Sequence, residues 1–273
     1  MRINTNIAAL QAQRAMSDHS KQVESATGKI SQGTRVRNAS DDAASLAIGT
    51  KNKSSIRSNF QAMRNANDAI SEFQIAEGSL NEVSSMLVRL KELSVQAASG
   101  HLQDSDRQNL NQEYMSLRAE IERTTQSAEF LGDNLFRSNE NRSYQVGINS
   151  DSNSRLEVDR AEMIVSEFSL QIVDSSIPTA EEAKLNLGHI DSAITKLSGT
   201  RAQLGSMQNR LQSTVNNLDT GRLNESSALS QRMDADLAYE TAEKIRNEIK
   251  VQAAGSALMQ SHEFSALALK LLK

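Results

Sequence analysis

The chain has 273 residues and a formal net charge of −4, with no Cys, no Trp and one proline, Pro178. Only 3% of the residues are aromatic, so a core must come from Leu, Ile, Val, Met and Ala, which suits long helices on a narrow seam better than a compact enzyme with several buried rings. Acidic and basic residues are interspersed, leaving no electrostatic footprint for nucleic acid. No apolar run approaches the roughly 20 residues that cross a bilayer. Met1-Arg2-Ile3-Asn4-Thr5-Asn6 lacks the apolar stretch of a cleaved signal peptide, so targeting signals alone read as cytoplasmic. The absence of cysteine is neutral about export.

Residues 1–35 predict an amphipathic helix with a thin apolar side: Ile3, Ile7 and Leu10, then Met16, Val23 and Ile30. Asn4, Thr5 and Asn6 are candidate N-caps, and Gly33 is a candidate helix end. Asp41 and Asp42 precede Ala43-Ala44-Ser45-Leu46-Ala47-Ile48, a helix start. From Ile56 to about Ser99 the pattern is one long helix. Ile56, Phe60, Met63, Asn67 and Ile70 step by four and three, and Leu80, Val83, Leu87 and Leu90 resume the seam after a stammer-like shift through Phe73 and Ala76. Gly100 reads as a C′ residue, and Ser105 with Gln108 as a capping box opening a helix that runs to about Phe130. Gly132 and Asn134 mark its end.

Residues 143–175 change period. Tyr144, Val146 and Ile148 alternate with polar residues, as do Leu156 and Val158, around a turn-rich Asn149-Ser150-Asp151-Ser152-Asn153-Ser154; this predicts a hairpin. Phe168, Leu170 and Ile172 read as a further strand. Thr179 and Glu182 form another capping box. Behind it Leu187, Ile190, Ile194, Leu197, Arg201, Leu204, Gln208, Leu211, Val215 and Leu218 keep three-and-four spacing without a break, a coiled-coil seam. A helix from 180 to about 228 would be roughly 70 Å long, and its natural partner is the helical region 43–130, brought back antiparallel. The last residues form another thin amphipathic helix on Ile245, Ile249, Gln252, Ser256 and Met259, with Leu267, Leu269, Leu271 and Leu272 crowding its end. Neither terminal helix, nor the two as a pair, can bury enough apolar surface to offset the entropy of ordering them, which predicts ends that order only against other copies of the chain.

Five segments resemble bacterial flagellin: Met1-Arg2-Ile3-Asn4-Thr5-Asn6; Gly33-Thr34-Arg35-Val36 through Ser40-Asp41-Asp42-Ala43-Ala44-Ser45-Leu46-Ala47-Ile48; Asn65-Ala66-Asn67-Asp68-Ala69-Ile70-Ser71 with Gln74-Ile75-Ala76-Glu77-Gly78; Thr200-Arg201-Ala202-Gln203-Leu204-Gly205-Ser206-Met207-Gln208-Asn209-Arg210-Leu211; and Asp234-Ala235-Asp236-Leu237-Ala238. They run in the family's order over nearly the whole chain. The resemblance implies a mainly α fold of long antiparallel coiled-coil helices with a small β-hairpin element, the two chain ends being paired as a terminal helical domain. Residues 1–42 and 230–273 would form that discontinuous polymerisation domain, and residues 43–229 a helical rod with a β element near 140–176. The short stretch between Phe136 and Glu181 marks a short form without large central outer domains.

The resemblance also implies a non-enzymatic structural subunit that self-assembles into the flagellar filament used for motility. It implies secretion through the flagellar type III apparatus without a cleaved signal, which replaces the cytoplasmic reading. The expected partners are many copies of the same chain, a flagellar export chaperone, the filament cap and hook-junction proteins. Packing for polymerisation falls to Ile3, Ile7, Leu10, Ile245, Ile249, Met259, Leu267 and Leu271, and the rod seam to Ile190, Ile194, Leu197, Leu204, Leu211 and Val215. Val88-Arg89-Leu90-Lys91-Glu92-Leu93-Ser94-Val95 resembles the segment that a vertebrate Toll-like receptor of a host recognises in many flagellins. Arg89, Leu93 and Glu113 match that motif, while Val88 and Lys91 stand where the family commonly has Gln and Arg.

Chemistry has little foothold. His19, His101, His189 and His262 lack neighbours at metal-ligand spacing, and no nucleophile elbow, Walker loop or dinucleotide fingerprint is present. No cofactor or metal is expected, and Asp41-Asp42 reads as helix capping. Arg201 and Gln208 interrupt the apolar seam either as tolerated snorkelling side chains or as register-setting contacts. The terminal helices lack the basic face or aromatic anchor of a membrane binder. Two rivals remain: a hook–filament junction protein, which shares the terminal helices, and a soluble coiled-coil adaptor.

Overall fold

The computed structural model describes residues 6–137, 141–159, 165, 170–172 and 175–271, with side chains to residue 263. In chain order it runs α1 (Ile7–Gln32), α2 (Ala43–Ala97), α3 (Asp104–Ser127), β1 (Glu129–Phe130), β2 (Asp133–Asn134), β3 (Arg142–Gln145), a 3-10 turn (Ser152–Ser154), β4 (Arg155–Val158), α4 (Ala180–Met233) and α5 (Leu237–Leu271). The chain divides into two compact units, residues 1–56 with 223–273, and residues 57–222.

Helix ends follow local side-chain chemistry. Of the three candidate caps, Asn6 is the one used: its Oδ1 accepts from Ala9 N at 3.1 Å, and Gly33 closes α1 in the left-handed region at φ 66°. Asp42 Oδ1 accepts from Ser45 N at 2.9 Å, opening α2, while Asp41 Oδ2 accepts from the backbone N–H groups of Arg37 and Asn38 at 3.0 and 3.1 Å. These backbone bonds hold the Asp41 carboxyl below the ordinary carboxylate value, and the Ser45 hydroxyl together with its backbone N–H does the same for Asp42. At α4, Thr179 Oγ1 accepts from Glu182 N at 3.3 Å, one half of the expected capping box, and donates to Glu182 Oε2 at 2.8 Å, so that the carboxylate takes the hydroxyl of the cap residue.

The α2–α3 junction departs from expectation. Ser105 and Gln108 form no capping box; α3 starts at Asp104, with Gln103 as an N-cap that makes no side-chain bond and Asp104 and Asp106 set against the positive helix end. Gly100 is not left-handed. The last carbonyls of α2 and the loop after it are instead collected by the buried Arg107, whose Nε donates to Ala97 O at 2.9 Å, Nη2 to Ser99 O at 2.7 Å and Nη1 to Leu102 O at 3.0 Å. A planar guanidinium satisfies three acceptors at once and neutralises the negative helix end. At the end of α3, Asn134 plays the matching part, donating to Thr125 O at 3.1 Å and Gln126 O at 2.7 Å.

In the second unit, residues 57–222, the core runs along α2, α3 and α4. Its α2 seam is Ala62, Ala66, Ala69, Phe73, Ala76, Leu80, Val83, Leu87 and Leu90, stepping by four and three throughout. The stammer is therefore absent. Phe60 and Asn67 face solvent, and alanines occupy the inward face instead. Small side chains there let the β3–β4 hairpin approach closely, with Asn65 Nδ2 donating to Gln145 O at 3.0 Å. The hairpin pairs antiparallel from Arg142↔Val158 to Gln145↔Arg155, as its alternation predicts.

Arg142 fastens this hairpin, reaching the buried Glu72 at 2.7 Å and also pairing with Asp133. Tyr144 packs edge-on against Phe73 at 5.8 Å, and its burial beside the Glu72 carboxylate pushes its pKa up. Farther on, Tyr114 Oη donates to Ser175 Oγ at 2.8 Å and Ile177 N to Asn111 Oδ1 at 2.8 Å, anchoring the approach to α4. Of the further strand expected there, Phe168 lies outside the described residues. Leu170 and Ile172 are buried but flank a turn at Gln171, whose φ of 61° is incompatible with a strand.

Arg107→Ala strips three carbonyls of their donor inside the protein and should lower the unfolding free energy by about 2–4 kcal/mol. The expected readout is a lower denaturant midpoint at unchanged slope; an unmoved midpoint would mean that water caps these carbonyls equally well. For Asp41 and Asp42 the folded-state pKa values are depressed, so their contribution is whole above the unfolded value near 3.9 and is lost as the pH falls through the lower folded values. Asp42→Asn retains a capping oxygen without a titrating charge. Its unfolding midpoint should therefore fall less steeply than the parent's between about pH 4 and about pH 2, as followed by circular dichroism.

Candidate functional site

In the first unit α1 and α5 lie antiparallel. Asn6 Nδ2 donates to Ser261 O at 3.1 Å and to Ser261 Oγ at 2.8 Å at one end, and Lys29 Nζ meets Glu240 Oε1 at 3.0 Å near the other. Beyond Lys29 the chain is stitched across the α4–α5 junction. Thr34 and Asp234 form a β-bridge, Arg35 N donates to Met233 O at 2.7 Å, and Ala235 N donates to Gly33 O at 2.9 Å. The left-handed Gly33 turns its carbonyl into that bridge. Gly28 makes room for the Arg37 guanidinium, which crosses where a Cβ would sit and donates to Ser25 Oγ at 3.4 Å.

What this pair buries is small or polar. Among the described residues, those buried here are Ala9 and Ala26 on α1, Glu240 and Asn247 on α5, and Val36 and Met233 at the stitched end. The large apolar residues expected to carry packing lie outside: Ile7 is 52% exposed, Leu10 49%, Ile245 52%, Ile249 61% and Met259 68%. Ile245, Ile249 and Met259 share a helical face, and that face is turned away from α1. Ile3 lies outside the described residues; Leu267 and Leu271 belong to α5, but their side chains fall outside them too.

In the second unit Ile190, Leu197, Leu204 and Leu211 are buried, with Ile194 and Val215 half-buried against the same core. Gln208 Nε2 donates across the seam to Glu77 Oε2 at 3.2 Å, and Lys91 Nζ pairs with Asp191 at 2.6 Å; both fix the antiparallel register of α2 and α4. Arg201 Nε is buried without a hydrogen-bond partner. Arg89 holds Glu113 through Nε at 2.9 Å and Nη2 at 2.7 Å and Glu92 through Nη1 at 3.0 Å, all exposed, whereas Leu93 is buried beneath them.

Among the described residues no group of His, Cys, Asp and Glu is arranged to hold a metal, and no helix is long and apolar enough to cross a membrane. The features with functional potential are surfaces. Sequence reasoning passed over Arg107, Glu72, the Lys29–Glu240 pair and Asn247; the available signal was a charged or amide side chain on the inward face of a helix. It also passed over the tight β1–β2 turn, where Leu131 and Gly132 both have positive φ.

Residues 3–141 match the family described as the bacterial flagellin N-terminal helical region, and residues 187–272 the bacterial flagellin C-terminal helical region. A flagellin of Halalkalibacterium halodurans is 35% identical over 273 residues, covering all of both chains. A Bacillus subtilis flagellin is 33% identical and a Treponema pallidum flagellin 32%, again over the full length of each. Among solved structures, Bacillus cereus flagellin is similar with a TM-score of 0.50 and 27% identity, over 57% of this chain and 88% of that one. A flagellar hook-associated protein from Vibrio parahaemolyticus, described as putative, gives a TM-score of 0.56 over 71% of this chain and 100% of its own, but at 17% identity it shows the fold alone. Both family models and full-length relatives at 32–35% identity favour the filament subunit over a junction protein: the chain belongs to the bacterial flagellins, the exported structural subunits of the flagellar filament.

Proposed function

We propose that this subunit polymerises through its two ends, residues 1–42 and 230–273, while residues 43–229 serve as the rod that forms contacts along the filament. The observation that supports this most directly is the outward face of α5, where Ile245, Ile249 and Met259 stand exposed beside a seam of alanines and polar groups. Each such side chain, already half-exposed in the single chain, adds about 1 kcal/mol when a neighbour covers it. Ile7 and Leu10 offer the same on α1, and Ile3, Leu267 and Leu271 extend the set by sequence pattern. The role is mechanical and requires no enzymatic chemistry.

The partners that fit these surfaces are a cytoplasmic export chaperone that covers the apolar face of the C-terminal helix, the filament cap where subunits arrive, and the hook-junction proteins that begin the polymer. Recognition by a host Toll-like receptor would rest on the exposed Arg89–Glu113 pair, with the buried Leu93 supporting the segment from inside.

The decisive experiment is seeded growth on short filament fragments, watched by electron microscopy. The full chain should elongate seeds, and a form lacking residues 1–42 and 230–273 should not. Ile245→Asn with Ile249→Asn changes residues already exposed in the single chain, so its unfolding free energy should stay within about 0.5 kcal/mol of the parent while elongation is lost. Equal elongation by this double variant would remove the α5 face from the polymer interface. Arg89→Ala should reduce receptor signalling by the dissociated subunit, measured in a reporter cell line; an undiminished response would exclude that contact.

A further inference from the structure

We propose that Leu131, at the tip of the β1–β2 hairpin, is a preset contact point for a second copy of this chain. The inference rests on the filament reading and adds to it a residue far in sequence from the chain ends. The hairpin pairs Glu129 with Asn134 and Phe130 with Asp133, leaving Leu131 and Gly132 as its two-residue loop. Their φ angles are 53° and 82°, the left-handed pair of a type I′ turn. Asn-Gly or Gly-Gly satisfies that turn without strain, whereas a leucine there brings its Cβ against the following carbonyl. The same leucine is 92% exposed.

Within the single chain the side chain thus carries two penalties, a disfavoured backbone and a hydrated isobutyl group, and gives nothing back. The hairpin does not need it. Leu135, Phe136 and Ala128 root the segment in the core, and Leu135 N donates to Ala128 O at 3.0 Å. Asn134 and Asp133 tie β2 to α3 and to Arg142. The tip is held from both sides, so Leu131 is presented in a fixed position and loses little freedom on being covered.

A second copy is the occupant that fits. The hairpin sequence Glu129-Phe130-Leu131-Gly132-Asp133-Asn134 carries two acidic and no basic residues, which disfavours an anionic lipid surface. The chain also belongs to a homopolymer-forming family, in which one apolar protrusion meeting a different surface on the next subunit repeats without closing, as a filament requires.

The test sets strain against assembly. Leu131→Asn relieves the turn, so the monomer's thermal midpoint should hold or rise. The critical concentration for seeded growth should rise about tenfold, the factor expected from losing one buried leucine per contact. Leu131→Gly should do the same. Because the chain has no cysteine, Leu131→Cys offers a unique thiol for a polarity-sensitive dye, whose emission should shift to the blue on polymerisation. A parent that fails to elongate seeds overturns the filament reading and this inference with it. A parent that elongates beside equally competent Asn and Gly variants, with the dye still reporting water, overturns this inference alone.

Discussion

The contact between α1 and α5 buries alanines, an ion pair and amides, while Ile7, Leu10, Ile245, Ile249 and Met259 stand exposed. Two helices touch only along a strip, and small residues on that strip bring the backbones close at the expense of apolar area buried. Each ordered residue costs about 1–2 kcal/mol of backbone entropy, and two buried alanines on a helix as long as α1 recover little of it. The stability of this pair is therefore tied to whatever covers its outer faces. Coverage by other subunits makes ordering and assembly one concentration-dependent process, because binding the folded form alone shifts folding by mass action.

The second unit is built on the opposite plan. Its seam on α2 and α4 is continuous and apolar, with Phe73, Tyr114 and Phe136 fully buried. Several of the polar groups taken inside are paired, Glu72 with Arg142, Tyr114 with Ser175 and Arg107 with three carbonyls, whereas Arg201 Nε is not. Arg107 and Asn134 close the ends of α2 and α3 and Arg142 fastens the hairpin, so this unit depends less on neighbours than the terminal pair does.

Much of this was readable in the residues. The α4 seam was visible because Ile190, Leu197, Leu204 and Leu211 are large and regularly spaced, and the Thr179 capping box and the β3–β4 alternation are strong local signals. The seam of α2 was misread in its first half because Ala62, Ala66 and Ala69 carry little apolar weight, while Phe60 and Met63 draw the eye to another face. The choice depends on what packs against the helix, and the hairpin that does so is eighty residues away in Asn65's bond to Gln145. Arg107 was invisible for the same reason: capping by a side chain from the next helix leaves no local pattern. In the terminal helices periodicity marked apolar residues, but periodicity cannot say whether they meet the chain's own partner helix or another molecule's. The structure leaves Ile7, Leu10, Ile245, Ile249 and Met259 exposed, and coverage by another subunit is what is proposed for them.

The polar groups inside the terminal pair then acquire a purpose. Glu240 is buried against Lys29, and Asn247 is buried with its Oδ1 lacking a hydrogen-bond partner. Buried ion pairs seldom add net stability over an apolar substitute, but they penalise every register that separates them. Polar residues on a coiled-coil seam set alignment in the same way, at the expense of stability. A leucine seam would make the pair sturdier alone and more tolerant of slippage, and it would fix the ends before any neighbour arrived. For a subunit that is exported and then added to a polymer, a seam that is weak in isolation yet specific in register keeps the ends compliant beforehand and unambiguous on arrival. Covered by other subunits as proposed, the outward isoleucines would supply the stabilisation at that moment, and the order of events would follow from which side of each helix is apolar.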